Sequence, residues 1–224
     1  PHSKTAKEGN MNIVASLDIP AHVILSAYRT IKKVSKQHRA TPILRYCKLT
    51  PHQVYYFDGF TAISLKIYNL KSLGVFDYYI DLVSLGDKLL QLKVNPAVIL
   101  RLAVYQEALG NVSVTIDSEY ELTIEYLGSD MLGYMPLQPV IYNLGKTTLV
   151  LDIPTLKDNA KPVAGNLVYD FSMSDTTIRI IIPKELLSIL GSYQGVLRLN
   201  TCKVGSRKAV VLECNLGDFI WILE

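Results

Sequence analysis

The stretch AHVILSAYRTIKKVSKQHR, Ala21 to Arg39, places His22, Ser26, Arg29, Lys33 and Lys36 at alternating intervals of four and three residues. Residues so spaced share one face of a helix. Lys32 flanks that face, His38 and Arg39 carry the charge past it, and no Asp or Glu occurs anywhere in the segment. An acid-free row of cations can attract phosphate through charge alone, which holds a nucleic acid without reading its bases. The competing reading is a plain solvated face, but such faces usually interleave Glu with Lys.

Other chemistry is missing. The chain has no G-x-S-x-G elbow, no phosphate-binding glycine loop and no H-E-x-x-H pair. His2, His22, His38 and His52 are scattered over tail, helix and turn. Cys47, Cys202 and Cys214 are odd in number, form no C-x-x-C pair, and suit a reducing, intracellular compartment better than a disulfide framework. Cys202 and Cys214 read as core fillers, and Asp58 as the servant of a turn at Asp58-Gly59. The expectation is a protein with no cofactor, no metal and no enzymatic activity. The net charge of +3 over 224 residues selects no partner, and no apolar run is long enough for a membrane-spanning helix.

The elements that must position the basic face follow from the pattern of apolar residues. The polar start, 1–10, reads as a disordered tail or an expression remnant. A strand over Asn12–Asp18 leads into a helix over Ala21–Gln37, with Asp18 as its cap, Pro20 in its first turn, and Ile24, Ala27, Tyr28, Ile31 and Val34 as its buried stripe. Strands are expected at Ile43–Leu49, Gln53–Phe57, Thr61–Tyr68 and Val75–Leu82. A helix over Ser84–Leu92, capped by Ser84, then precedes a strand at Val98–Tyr105 and a hairpin of Val112–Ile116 with Glu121–Leu127. Gly128, Gly133, Pro136 and Pro139 punctuate a linker carrying Met131, Leu132, Tyr134 and Met135. Beyond it come strands at Thr147–Ile153, Leu167–Met173 and Thr177–Ile182. A short helix at Pro183–Leu190 and strands at Val196–Cys202, Lys208–Cys214 and Phe219–Leu223 complete the pattern.

This order of motifs resembles the DNA sliding clamps, most closely their two-domain type, proliferating cell nuclear antigen and the T-even phage clamps. VYYFDGFTAISLKIYNL (Val54–Leu70) is similar to the paired strands of a first clamp domain, and YIDLVSLGDKLLQLKVNPAVILRL (Tyr79–Leu102) to its strand, short helix and strand. YELTIEYLGSDMLGYMP (Tyr120–Pro136) resembles a last strand running into the interdomain connecting loop. IIIPKELLSIL (Ile180–Leu190) and the terminal hairpins from Gly195 resemble the end of a clamp subunit. Between Pro139 and Leu167 the family expects a full helix, whereas here only Pro154–Ala160 could be helical.

The resemblance implies an α+β fold, DNA-clamp-like, with two domains of antiparallel sheets and short helices on the inner face. Clamp domain 1 would span 11–127, the connecting loop 128–139 and an abbreviated clamp domain 2 140–224. It implies a processivity factor encircling duplex DNA without sequence preference, in a homotrimeric ring closed by strand edges, with Val112–Ile116 as one candidate edge. DNA would be met by His22, Arg29, Lys32, Lys33 and Lys36, joined by Lys88 and Lys184 from the other two helices. DNA polymerase would dock by a short peptide on Phe57, Met131, Leu132, Tyr134, Met135 and Trp221, and a clamp-loader ATPase would open the ring. Leu132 could equally pin the linker to the core, and Trp221 reads more simply as packing. A monomeric clamp-fold accessory subunit, as in herpesviruses, and a β-rich viral structural protein are the rival readings.

Overall fold

A computed structural model describes residues 12–34, 45–59, 61–68, 70–117, 120–127, 142–173, 176–182, 190 and 193–222. The tail, the linker and nearly all of the helix expected at Pro183–Leu190 lie outside them.

The chain begins with strand β1 (Ile13–Pro20), which passes directly into helix α1 (Ala21–Val34). Strands β2 (Tyr46–Leu49), β3 (Gln53–Phe57), β4 (Thr61–Lys66), β5 (Lys71–Leu73) and β6 (Tyr78–Asp81) follow, then helix α2 (Leu82–Gln91). Strands β7 (Ile99–Tyr105), β8 (Asn111–Thr115) and β9 (Glu121–Leu127) end the first half. The second half holds β10 (Tyr142–Leu151), helix α3 (Ile153–Asn159), β11 (Lys161–Val163), β12 (Asn166–Met173), β13 (Thr176–Ile182), β14 (Leu197–Val204), β15 (Arg207–Cys214) and β16 (Gly217–Ile222).

Among the described residues, thirteen strands form one sheet in the order β10-β14-β15-β16-β4-β3-β2-β6-β9-β8-β7-β1-β5, and β11-β12-β13 form a second sheet. All pairings are antiparallel, so the α+β expectation holds. The two halves are joined where β16 pairs with β4, Phe219 opposite Ile63 and Gly217 opposite Leu65. A side chain at Gly217 (φ +148°) would strike the Ser64 carbonyl, so this close approach requires glycine. Arg207 reinforces the join by donating to the Gly59 carbonyl at 2.8 Å.

Most strands fall where apolar alternation places them, but the caps do not. Asp18 lies inside β1, where it accepts from Arg101 Nε at 3.0 Å across the β1–β7 pair, and Pro20 is the last strand residue. The first amides of α1 are satisfied by loop carbonyls instead: Ala21 N–H donates to Val98 O at 2.8 Å and His22 N–H to Pro96 O at 2.9 Å. Asp81, not Ser84, caps α2, accepting from the Ser84 amide at 2.9 Å. Strands β5 and β11, of three residues each, have no counterpart in the sequence reading. The strand expected to be an open edge, Val112–Ile116, is interior, because β8 pairs with β7 on one side and β9 on the other.

Candidate nucleic-acid and partner surfaces

Helix α1 buries Ala21, Ile24, Leu25, Ala27, Tyr28 and Ile31, each at most 3% exposed, against the sheet and α2. The opposite face leaves His22, Ser26 and Arg29 in solvent. Arg29 is exposed and makes no ion pair with a described residue. His22 is oriented by its Nδ1, 3.3 Å from the Pro96 carbonyl. Lys33 lies on the helix backbone, its side chain outside the description; Lys36 and Lys184 lie outside the described residues altogether.

Two of the expected cations are engaged elsewhere. Lys32 donates to the Tyr28 hydroxyl at 2.7 Å and sits 3.6 Å from Asp87 of α2, while the Tyr28 hydroxyl itself donates to Asp87. The hydrogen bond with Tyr28, aided by the Asp87 charge, raises the Lys32 ammonium above the ordinary lysine range. This triad ties α1 to α2, and the join is tight: a Cβ on Gly86 would collide with the Tyr28 ring. Lys32 is thus partly neutralised. Lys88 Nζ reaches 3.4 Å to the Thr123 carbonyl on β9. Its cation is shared with a strand edge.

That edge is a second surface. Tyr126 N–H donates to Gly110 O and Ile116 N–H to Tyr120 O, so alternation turns the amides and carbonyls of Glu121, Thr123 and Glu125 away from β8. On that outer side β9 meets β6 only at Tyr126 and Leu127. Strand β13 likewise has only β12 beside it among the described residues.

The expected peptide groove is split by the sheet. Phe57 belongs to an apolar cluster on one face with Tyr55, Ala62, Cys202, Ala209, Val211 and Ile220. Trp221, one residue beyond Ile220, points to the other face and joins the main core, 6% exposed. Phe57 and Trp221 therefore cannot line the same groove. Met131, Leu132, Tyr134 and Met135 lie outside the described residues. Cys202 and Cys214 fall into different clusters, and burial pushes the Cys202 thiol up to about 11 and the Cys47 and Cys214 thiols upward too. Asp58 serves its turn, accepting from the Thr61 amide at 2.7 Å.

Among the described residues no group of three or more His, Cys, Asp or Glu could hold a metal ion, and no helix is long and apolar enough to cross a membrane. What remains among the described residues is a basic helix face, a buried apolar cluster around Phe57 and open strand edges on one frame. That frame is the fold of the DNA sliding clamps. The sliding clamp of Bacillus subtilis superposes with a TM-score of 0.65 at 12% identity, covering 94% of this chain and 65% of that one. The DNA polymerase III β subunit of Pseudomonas aeruginosa gives 0.66 at 12% over 93% and 65%, and the Helicobacter pylori β clamp bound to a DNA ligase peptide gives 0.60 at 11% over 93% and 66%. The chain thus spans about two thirds of the length of the clamps it matches. No protein-family model matches the sequence, and no curated protein matches it.

Proposed function

We propose that this chain is a subunit of a DNA sliding clamp, a non-enzymatic processivity factor that encircles duplex DNA and tethers a polymerase and other replication proteins to it inside the cell. The observation that carries the reading is the coincidence of a clamp frame with an acid-free α1 face bearing an exposed Arg29 that pairs with no described acid. His22, Arg29, Lys33, Lys36 and Lys184 serve as sequence-independent phosphate contacts, while Lys32 and Lys88 contribute a weaker, partly neutralised field.

Residues 11–127 and 140–224 act as two clamp domains joined by the loop 128–139. Partner peptides insert apolar side chains between that loop, with Met131, Leu132, Tyr134 and Met135, and the sheet face around Phe57; the ligase peptide on the Helicobacter pylori clamp supports a peptide-binding role. Three copies close a ring, the outer edge of β9 in one pairing with β13 in the next. Exposed Glu121 and Glu125 on the first strand complement exposed Arg179 on the second, which also holds Asp170 at 2.9 Å. A clamp-loader ATPase opens the ring.

Light scattering coupled to size exclusion tests the assembly: a trimer mass is expected. Retention on closed circular DNA, lost when the circle is cut, tests encirclement, and release from the circle would refute it. The monomeric accessory subunit is the second reading, favoured by the seven-residue α3, half the length of α1. A one-chain mass with salt-sensitive DNA binding would select it.

A further inference from the structure

A cleft of about 520 Å³ opens between the polar face of α1 and the end of β4. Its walls include His22, Ser26 and Arg29 on the helix, Lys66 and Tyr68 at and beyond the strand end, and Leu216 in the turn before β16; among the described residues no carboxylate lines it. That volume lies in the range that accepts a single ligand of nucleotide size, roughly 300–1,000 Å³. The strand wall is held firmly, because Lys66 N–H donates to Leu216 O at 3.1 Å and Ile67 N–H to His52 O at 2.9 Å. Lys66 is exposed and, like Arg29, pairs with no described acid. Beside it Tyr68 leaves 65% of its surface in solvent, with Leu216 43% exposed.

From these observations we infer that the cleft seats one nucleotide of an unpaired DNA strand, its phosphate between Arg29 and Lys66 and its base on Tyr68. The inference rests on the DNA-binding reading above and goes past it. A helix face alone suits the convex backbone of a duplex, where the bases are stacked inside and none can reach a protein ring. Two exposed cations with an exposed aromatic in a concave site are the parts of a single-strand seat: charge holds the backbone and the ring stacks whichever base arrives. A clamp built this way recognises the place where duplex gives way to single strand.

Fluorescence anisotropy on the full chain tests it, with a labelled blunt duplex and the same duplex carrying a short single-stranded overhang. The wild type should favour the overhang by about tenfold, Tyr68→Ala should abolish that preference while blunt-duplex affinity stays, and Tyr68→Phe should keep it. Tyr68 is exposed, so circular dichroism should show both variants folded. Equal affinity of the wild type for both DNAs, or a preference that survives Tyr68→Ala, overturns the inference and leaves the duplex reading standing. Binding to neither DNA overturns both. Deoxyadenosine monophosphate competing as well as the overhang strand would assign the cleft to a free nucleotide and overturn the strand assignment.

Discussion

Two clefts beside helices that directly follow a strand differ more in charge than in size. The one beside α1 measures about 520 Å³ and its described lining includes Arg29, Lys66 and His22; the one beside α3 measures about 450 Å³ and its described lining includes Asp152, Asp158 and one cation, Lys157. The contrast traces to how each helix begins. The first amides of α1 go to the Val98 and Pro96 carbonyls, neutral acceptors supplied by a distant loop. The start of α3 uses its own carboxylate, Asp152, which accepts from the Thr155 amide at 2.7 Å and is held below the usual aspartate range first by the Thr155 hydroxyl and then by that amide. A helix that must face phosphate gains from borrowing uncharged acceptors, since an acidic cap would put a repelling charge beside the ligand. In the proposed ring, the attraction for DNA comes chiefly from the first half.

The sharpest way to break this contrast is charge reversal. Arg29→Glu with Lys33→Glu should weaken duplex binding on the order of 100-fold at low salt and flatten its salt dependence, whereas Lys157→Glu should change it less than about twofold; anisotropy across a salt series measures both. Equal losses from the two helices would show that both halves face the DNA alike. Next in size is Gly86→Ala, which drives a methyl into the Tyr28 ring and should cost about 2 kcal/mol in thermal unfolding. Asp152→Ala should lower the melting temperature by less, since it frees one exposed helix start of seven residues. Because the Asp152 pKa is depressed on folding, its contribution is present above the ordinary aspartate range and lost as pH falls through and below it. The wild-type advantage over Asp152→Ala should therefore shrink in acid. Smallest is Lys32→Met, about 0.5 kcal/mol or less for so exposed a pair, with a smaller loss of DNA affinity than Arg29→Ala.

Legibility in the sequence followed the range of each interaction. The α1 stripe of Ile24, Ala27, Tyr28 and Ile31 could be read because helical periodicity is local, and the hairpin β8–β9 because its strands are neighbours in the chain. The cap of α1 misled because the partners of Ala21 and His22 arrive from Val98 and Pro96, which no local pattern announces. Alternation tells which residues of one strand share a face, but only register between strands tells that Phe57 and Trp221 lie on opposite faces. Similarly, β8 looks like any edge strand until its neighbours are known. Lys66 and Tyr68 gave no signal at all, since a cation and an aromatic at a strand end gain meaning only when a helix lies across from them. Lys32, Lys88 and Asp87 are visible as charges, but that Asp87 meets Lys32 and that Thr123 meets Lys88 is not, because each pair spans separate elements.

The pairing of β16 with β4 has a consequence for how the protein is made. Strand β4 leaves the ribosome early, yet its neighbour on one side is among the last of the described segments to be synthesised. Until then the nascent first half exposes a bare row of amides and carbonyls along Ala62–Leu65, the kind of surface on which unrelated chains aggregate. Such long-range closure slows folding. A ribosome stalled before Gly217 would release a sticky fragment instead of a smaller working one.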